Sequence, residues 1–181
     1  MIEEAKKFVA DMHLQPSKEQ RYGGKPYTFH TDMVAGNAWK YIHYIEEENR
    51  ENVIISAHGH DLIEDTEVNQ KMLVKKFNSV IADTIFRVTN ERGFDHIEVL
   101  FKTLPKIRQS HLAIYVKLCD RMANGFNSKN ENTEKGKRMY KKYRIEYPIF
   151  RYALRNVDEN GVVEFEDMWK ELDDIFNWKD C

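Results

Sequence analysis

Apolar residues recur at spacings of three and four along most of the chain, the pattern of amphipathic helices packed on a core. Ala5, Phe8, Val9 and Met12 share one face over 2–12, and Pro16 with Ser17 ends that run. Val34, Ala38, Trp39, Tyr41, Ile42 and Ile45 form the next stripe, with Thr31 or Asp32 as its N-cap and the acidic cluster at 46–48 as its end. A third helix is predicted over 52–64 from Val53, Ile54, Ala57 and Leu62, with Asp65 and Thr66 opening the exit loop. The same periodicity predicts helices over 70–77, 79–89, 94–104, 110–126, 132–154 and 166–176. Strand pattern is confined to Val162-Val163-Glu164-Phe165, which allows one short β-hairpin near the C-terminus. The run Arg21-Tyr22-Gly23-Gly24-Lys25-Pro26-Tyr27 reads as a loop whose glycines let backbone approach a ligand closely.

No internal repeat or low-complexity linker divides the 181 residues, so one domain is expected, large enough to bury roughly 70% of the surface its unfolded chain exposes. Apolar residues at 41% and charged residues at 32% exclude a disordered chain. Eight glycines and four prolines are too few for a turn-rich β-sandwich and reinforce the helical reading. The formal net charge of −2 supplies no field to recruit nucleic acid or an anionic membrane, so an anionic partner should be small. No apolar run approaches the ~18 residues of a membrane span. With no secretory signal pattern and only Cys119 and Cys181, a cytoplasmic protein without a disulfide is expected.

The chemistry concentrates in His60-Asp61-Leu62-Ile63-Glu64-Asp65. On a helix Glu64 would stack over His60 and Asp61, and Asp65 over Asp61, while Leu62, Ile63 and Ala57 anchor the segment in the core. Three carboxylates in one patch repel one another unless a cation intervenes, although a solvated acidic helix end is the ordinary reading of such a cluster alone. Two further residues support a cation: His30 follows the glycine loop, and Asp120 interrupts the apolar run Val116-Lys117-Leu118-Cys119-Asp120-Arg121-Met122-Ala123-Asn124. A carboxylate on an apolar helix needs a partner; a buried ion pair with Arg121 or Lys117 is the ordinary reading, but immediate neighbours do not face each other on a helix, and a metal explains Asp120 better. His58 points about 200° away from His60 on a helix and is better read as structural.

A His, a His-Asp pair thirty residues on, and a distant Asp resemble the HD superfamily of metal-dependent phosphohydrolases. More narrowly, His60-Asp61-Leu62-Ile63-Glu64-Asp65-Thr66 resembles the HD-x-x-ED-T signature of the RelA/SpoT hydrolase domain, and Lys117-Leu118-Cys119-Asp120-Arg121-Met122-Ala123-Asn124 its K-L-A-D-R-x-x-N. The likeness spans about 21–152 and includes Arg21 and Pro26-Tyr27 ahead of His30. It fits the small stand-alone (p)ppGpp hydrolases, since no synthetase or regulatory domain accompanies it. It departs from the family at His58-Gly59, where bulky apolar residues are usual, and in a slightly short loop from Arg21 to His30.

The resemblance implies an all-α HD-domain bundle in which His30, His60, Asp61 and Asp120 hold Mn²⁺ or another divalent ion, a donor set of two imidazoles and two carboxylates suited to such a metal. Glu64 and Asp65 would orient or deprotonate the attacking water, the resemblance leaving open which is the base. Asn124, one turn beyond Asp120, would donate to phosphate or ribose. Arg21 would pack over guanine and Lys25 meet phosphate. The basic run 135–144 is mostly a wet face over Met139, Tyr143, Tyr147 and Phe150, from which Tyr143 could reach a polyphosphate. Asp32 is an acidic neighbour of the site by sequence only. The activity implied is 3′-pyrophosphohydrolysis of guanosine tetra- or pentaphosphate. The rivals are an HD enzyme on another nucleotide, such as the NADPH 2′-phosphate or a nucleoside monophosphate, and a non-catalytic nucleotide-binding module, which would have no use for the acid pair.

Overall fold

The computed structural model describes residues 1–14, 21–22 and 24–179, and these form an all-α bundle with one two-stranded hairpin. In chain order the elements are α1 (Ile2–His13), β1 (Arg21–Tyr22), β2 (Lys25–Pro26), α2 (Thr28–Lys40), a 3₁₀ turn (Ile42–Tyr44), α3 (Glu47–Gly59), α4 (Leu62–Asp65), α5 (Gln70–Lys76), α6 (Ser79–Val88), α7 (His96–Ile107), α8 (His111–Asn130), α9 (Glu134–Leu154) and α10 (Glu166–Phe176). Side-chain caps fix five helix starts: Asn69, Asn78, Asp95, Ser110 and Thr133 each accept a backbone N–H from the first turn of α5, α6, α7, α8 and α9. The Pro16-Ser17 helix stop, Gly23 and Cys181 lie outside the described residues.

The organising element is α8. From Ala113 to Ala123 every residue is buried, as expected of a helix surrounded on all sides. It packs on α2, α9, α10 and α6, and its apolar residues form the larger core with Val34 and Ala38 of α2, Val53 and Ile54 of α3, Phe150 of α9 and Trp169 of α10. A smaller core joins α1, α4, α5 and α6 through Val9, Leu62, Leu73, Ile81 and Ile85, with Ile55 of α3. This second core fixes α4, and so the segment that follows His60.

Four expectations are corrected. The segment 52–64 is not one helix: α3 ends at Gly59, Asp61 takes φ −99° and ψ 2°, and α4 restarts at Leu62. Neighbouring side chains on an unbroken helix diverge by about 100°, whereas the interruption brings His60 Nε2 and Asp61 Oδ2 within 2.9 Å. The acidic cluster at 46–48 does not end α2 but opens α3, whose first turn holds Glu47 and Glu48 where the helix dipole favours them. α2 itself starts at Thr28, ahead of Thr31 and Asp32, so His30 lies in its first turn. The regular hairpin is β1–β2, pairing Arg21 with Pro26 and Tyr22 with Lys25; near the C-terminus the antiparallel contact is a single bridge between Val157 and Val163.

Candidate metal centre and adjoining cleft

Three stretches of chain converge on one point. α2 delivers His30, the α3–α4 junction delivers His60 and Asp61, and α8 delivers Asp120. His30 Nε2 lies 3.2 Å from His60 Nε2, and Asp120 Oδ1 lies 3.4 and 3.6 Å from these two nitrogens. Asp61 Oδ2 is 2.9 Å from His60 Nε2 and 3.8 Å from His30 Nε2. His30, His60 and Asp120 are buried, and their donor atoms all lie within 4.8 Å of one another.

The chemistry of this donor set fits a divalent cation. His60 Nδ1 donates to the Ala57 carbonyl at 2.9 Å, so Nε2 is the ring nitrogen turned toward the cluster. His30 turns its own Nε2 inward, while its Nδ1 is buried without a hydrogen-bond partner among the described residues. Burial opposes charge on His60, yet Asp61 and Asp120 overcome it and hold the imidazole up at about 9. Although burial favours their neutral forms, Asp61 is held below the usual carboxylate range chiefly by His60, and Asp120 chiefly by Lys117 and the two histidines. A proton thus sits where two buried carboxylates demand positive charge, and a divalent ion meets that demand better.

Further side chains hold these candidate donors in place. Lys117, itself buried, binds Asp120 Oδ2 at 3.1 Å and the Val88 carbonyl at 3.3 Å. Asn124 Nδ2 donates to Asp120 Oδ1 at 2.5 Å. Tyr27, from the end of the hairpin, donates its hydroxyl to Asp61 Oδ2 and lies edge-on to His30. Tyr22 stacks on the His30 ring with centroids 4.5 Å apart. Sequence reasoning gave neither tyrosine a role, although Tyr27 at three residues before His30 was a spacing worth following.

Beside the cluster opens a cleft of about 920 Å³, lined by Glu64, Asp120, Asn124 and Tyr143 together with the cations Arg92, Lys102, Lys117, Arg121 and Lys142. Glu64 does not stack over His60 and Asp61: both its oxygens accept from Asn90, at 3.1 Å from the backbone N–H and 3.1 Å from the side-chain amide. No sequence pattern links these two residues across 26 positions. Asp65 is half-buried, and burial together with Asp61 and Glu64 pushes its carboxyl up to about 6. The far wall contains a buried carboxylate, Glu146, bound by Arg121 at 2.6 Å and by His96 at 2.9 Å, with Arg121 lying between the rings of Tyr143 and Phe150.

Arg21 and Lys25 are not in the cleft wall. Arg21 is exposed and donates to the Gly24 carbonyl at 3.1 Å; the Lys25 ammonium lies 3.7 Å from the centroid of the Phe29 ring, at a separate small hollow. Asp32 is exposed and faces His58 at 3.7 Å, away from the cluster, and burial lowers His58 to about 4.

No protein-family model and no curated protein sequence matches the chain. Among solved structures it is similar to a metazoan ortholog of SpoT that hydrolyzes ppGpp and plays a role in starvation responses, with a TM-score of 0.74 at 20% identity, over 97% of this chain and 93% of the other. Almost from end to end, the chain has the helical fold of that metazoan protein, in keeping with the all-α bundle expected from the sequence.

Proposed function

We propose that the protein is a divalent-metal-dependent phosphohydrolase that removes pyrophosphate from the 3′ position of guanosine tetra- or pentaphosphate. The observation that carries this reading is the convergence of His30, His60, Asp61 and Asp120 at the edge of a cleft rich in cations. The similar fold of a protein that hydrolyzes ppGpp supports the choice of nucleotide. His30, His60, Asp61 and Asp120 would hold Mn²⁺. A bound divalent ion supplies Lewis acidity toward water and a phosphoryl oxygen.

The chain's own groups do the rest. Glu64, held by Asn90, and Asp65, with its carboxyl near 6, are available to orient the attacking water and take its proton. Lys117, Arg92 and Lys142 present positive charge to a polyphosphate, Tyr143 a hydroxyl to the same phosphates, and Asn124 a polar group to phosphate or ribose. The resemblance also gives Arg21 a guanine contact and Lys25 a phosphate contact, although both stand outside the cleft wall. A small nucleotide substrate, a net charge of −2 and no helix among the described residues long and apolar enough to cross a membrane fit a cytoplasmic enzyme without nucleic-acid or membrane partners.

The test is incubation of Mn²⁺-loaded protein with ppGpp, pppGpp, NADPH, GTP and nucleoside monophosphates, with products identified. Pyrophosphate from ppGpp is expected. Phosphate from NADPH alone would select the other nucleotide reading, and no turnover by metal-loaded protein would remove the enzyme reading. Asp61→Ala should lose metal and activity together, whereas Glu64→Ala should keep stoichiometric metal and lose about 10²–10⁴-fold in rate.

A further inference from the structure

Asn124 has two ends, and the structure assigns each a partner. Its amide nitrogen donates to Asp120 Oδ1, the oxygen that faces both histidines; its carbonyl oxygen accepts the Tyr22 hydroxyl at 3.0 Å. A side-chain amide can be turned over with little change of shape, and the reversed orientation would set its oxygen against the Asp120 carboxylate. The Asp120 carboxylate, which can only accept, selects the orientation, and the Tyr22 hydroxyl donates to the oxygen end so presented and holds the amide in place. The same Tyr22 ring lies nearly parallel to the His30 imidazole, at 18°, and covers its face.

We infer that Tyr22 is a positioning residue for the metal centre, acting on Asp120 through Asn124 and on His30 through its ring. It pre-orients two donors contributed by different helices, so the cost of ordering them is met on folding and not on ion binding. Two elements separated by about a hundred residues are joined at this point, since Tyr22 lies on β1 and Asn124 on α8. The arrangement also reassigns Asn124: with both ends engaged in supporting Asp120, its main contribution is to the ligand set, ahead of any contact with nucleotide. This inference rests on the metal reading above.

The experiment is titration of metal-free protein with Mn²⁺ alone, read by calorimetry and by the spin-resonance signal of free Mn²⁺. Tyr22→Phe keeps the ring and removes the hydroxyl, and should raise the Mn²⁺ dissociation constant roughly tenfold while leaving the unfolding midpoint of the metal-free protein within about a degree. Tyr22→Ala should weaken binding further, because the stack on His30 is lost too. In an Asn124→Ala background Tyr22→Phe should have no additional effect, since the hydroxyl then has nothing to orient. Unchanged Mn²⁺ affinity in Tyr22→Phe, or effects of Tyr22→Phe and Asn124→Ala that simply add, would overturn the inference while leaving the metal centre intact. A wild-type protein that binds no Mn²⁺ would overturn both.

Discussion

At the scale of single residues, the site is built from groups whose environments push them apart. His60 is drawn toward its charged form by two carboxylates, and Asp65, a few residues on, is pushed toward its neutral form by burial and by Asp61 and Glu64. Asp65 therefore affects stability with a defined sign. Its carboxyl has an ordinary value of 3.8 and lies at about 6 in the folded chain. Below pH 4 it is protonated in both states and has no effect. Between pH 4 and 6 the folded state holds a proton that the unfolded state has lost, so stability falls as pH rises, and above pH 6 the loss is constant. In chelator, Asp65→Asn should leave the unfolding midpoint unchanged at pH 4 and raise stability at pH 7.5 by about 1 kcal/mol, a figure discounted for its partial exposure. Equal effects at both pH values, measured by thermal melts, would contradict this. The identity of His60, Asp61, Glu64, Asp65 and Asp120 as a chemical set was legible in the sequence because each stands in a short motif. Tyr22, Tyr27 and Asn90 were not, because their partners lie 102, 34 and 26 residues away.

At the scale of elements, most helices were legible from periodicity: the starts read at 70 and 79 fall just after Asn69 and Asn78, which cap them in the structure, and 166–176 matches α10 at both ends. The break between α3 and α4 was not, although Gly59 stands at the end of α3, because the interruption is set by contacts made elsewhere: Tyr27 to Asp61, and Leu62 to the second core. A different long-range constraint operates at Gly125, where α8 and α10 touch. A methyl group there would come within 2.6 Å of Phe176 and 2.8 Å of Ile175, both buried. Alanine would gain about 1 kcal/mol in helix propensity, but α10 would have to shift, at about 1–3 kcal/mol or more. Gly125→Ala should therefore destabilise the protein on balance, seen as a lower urea midpoint; a higher midpoint would show that α10 yields freely.

At the scale of the whole molecule, the candidate ligands come from α2, the α3–α4 junction and α8, so a bound ion ties together helices that belong to both cores. Anything that binds only the folded state stabilises it by mass action, about 2.7 kcal/mol at a free concentration a hundred times the dissociation constant. The melting temperature should thus climb with added Mn²⁺ and return on chelation, with Asp61→Ala showing no climb; a wild-type melt indifferent to Mn²⁺ would argue against an ion in this position. The sequence by itself determined that the chain is helical, roughly where its helices lie and which residue types could hold a metal, because hydrophobic period, caps and motifs are properties of neighbouring residues. Only the tertiary structure decided that Glu64 is held by Asn90, that Glu146 is bound by Arg121 and His96, and that Arg21 and Lys25 stand outside the cleft wall. Those facts depend on how α6, α7, α8 and α9 pack and where the hairpin rests against them, and packing is set by the shapes of whole helix faces meeting at once, which no local pattern encodes.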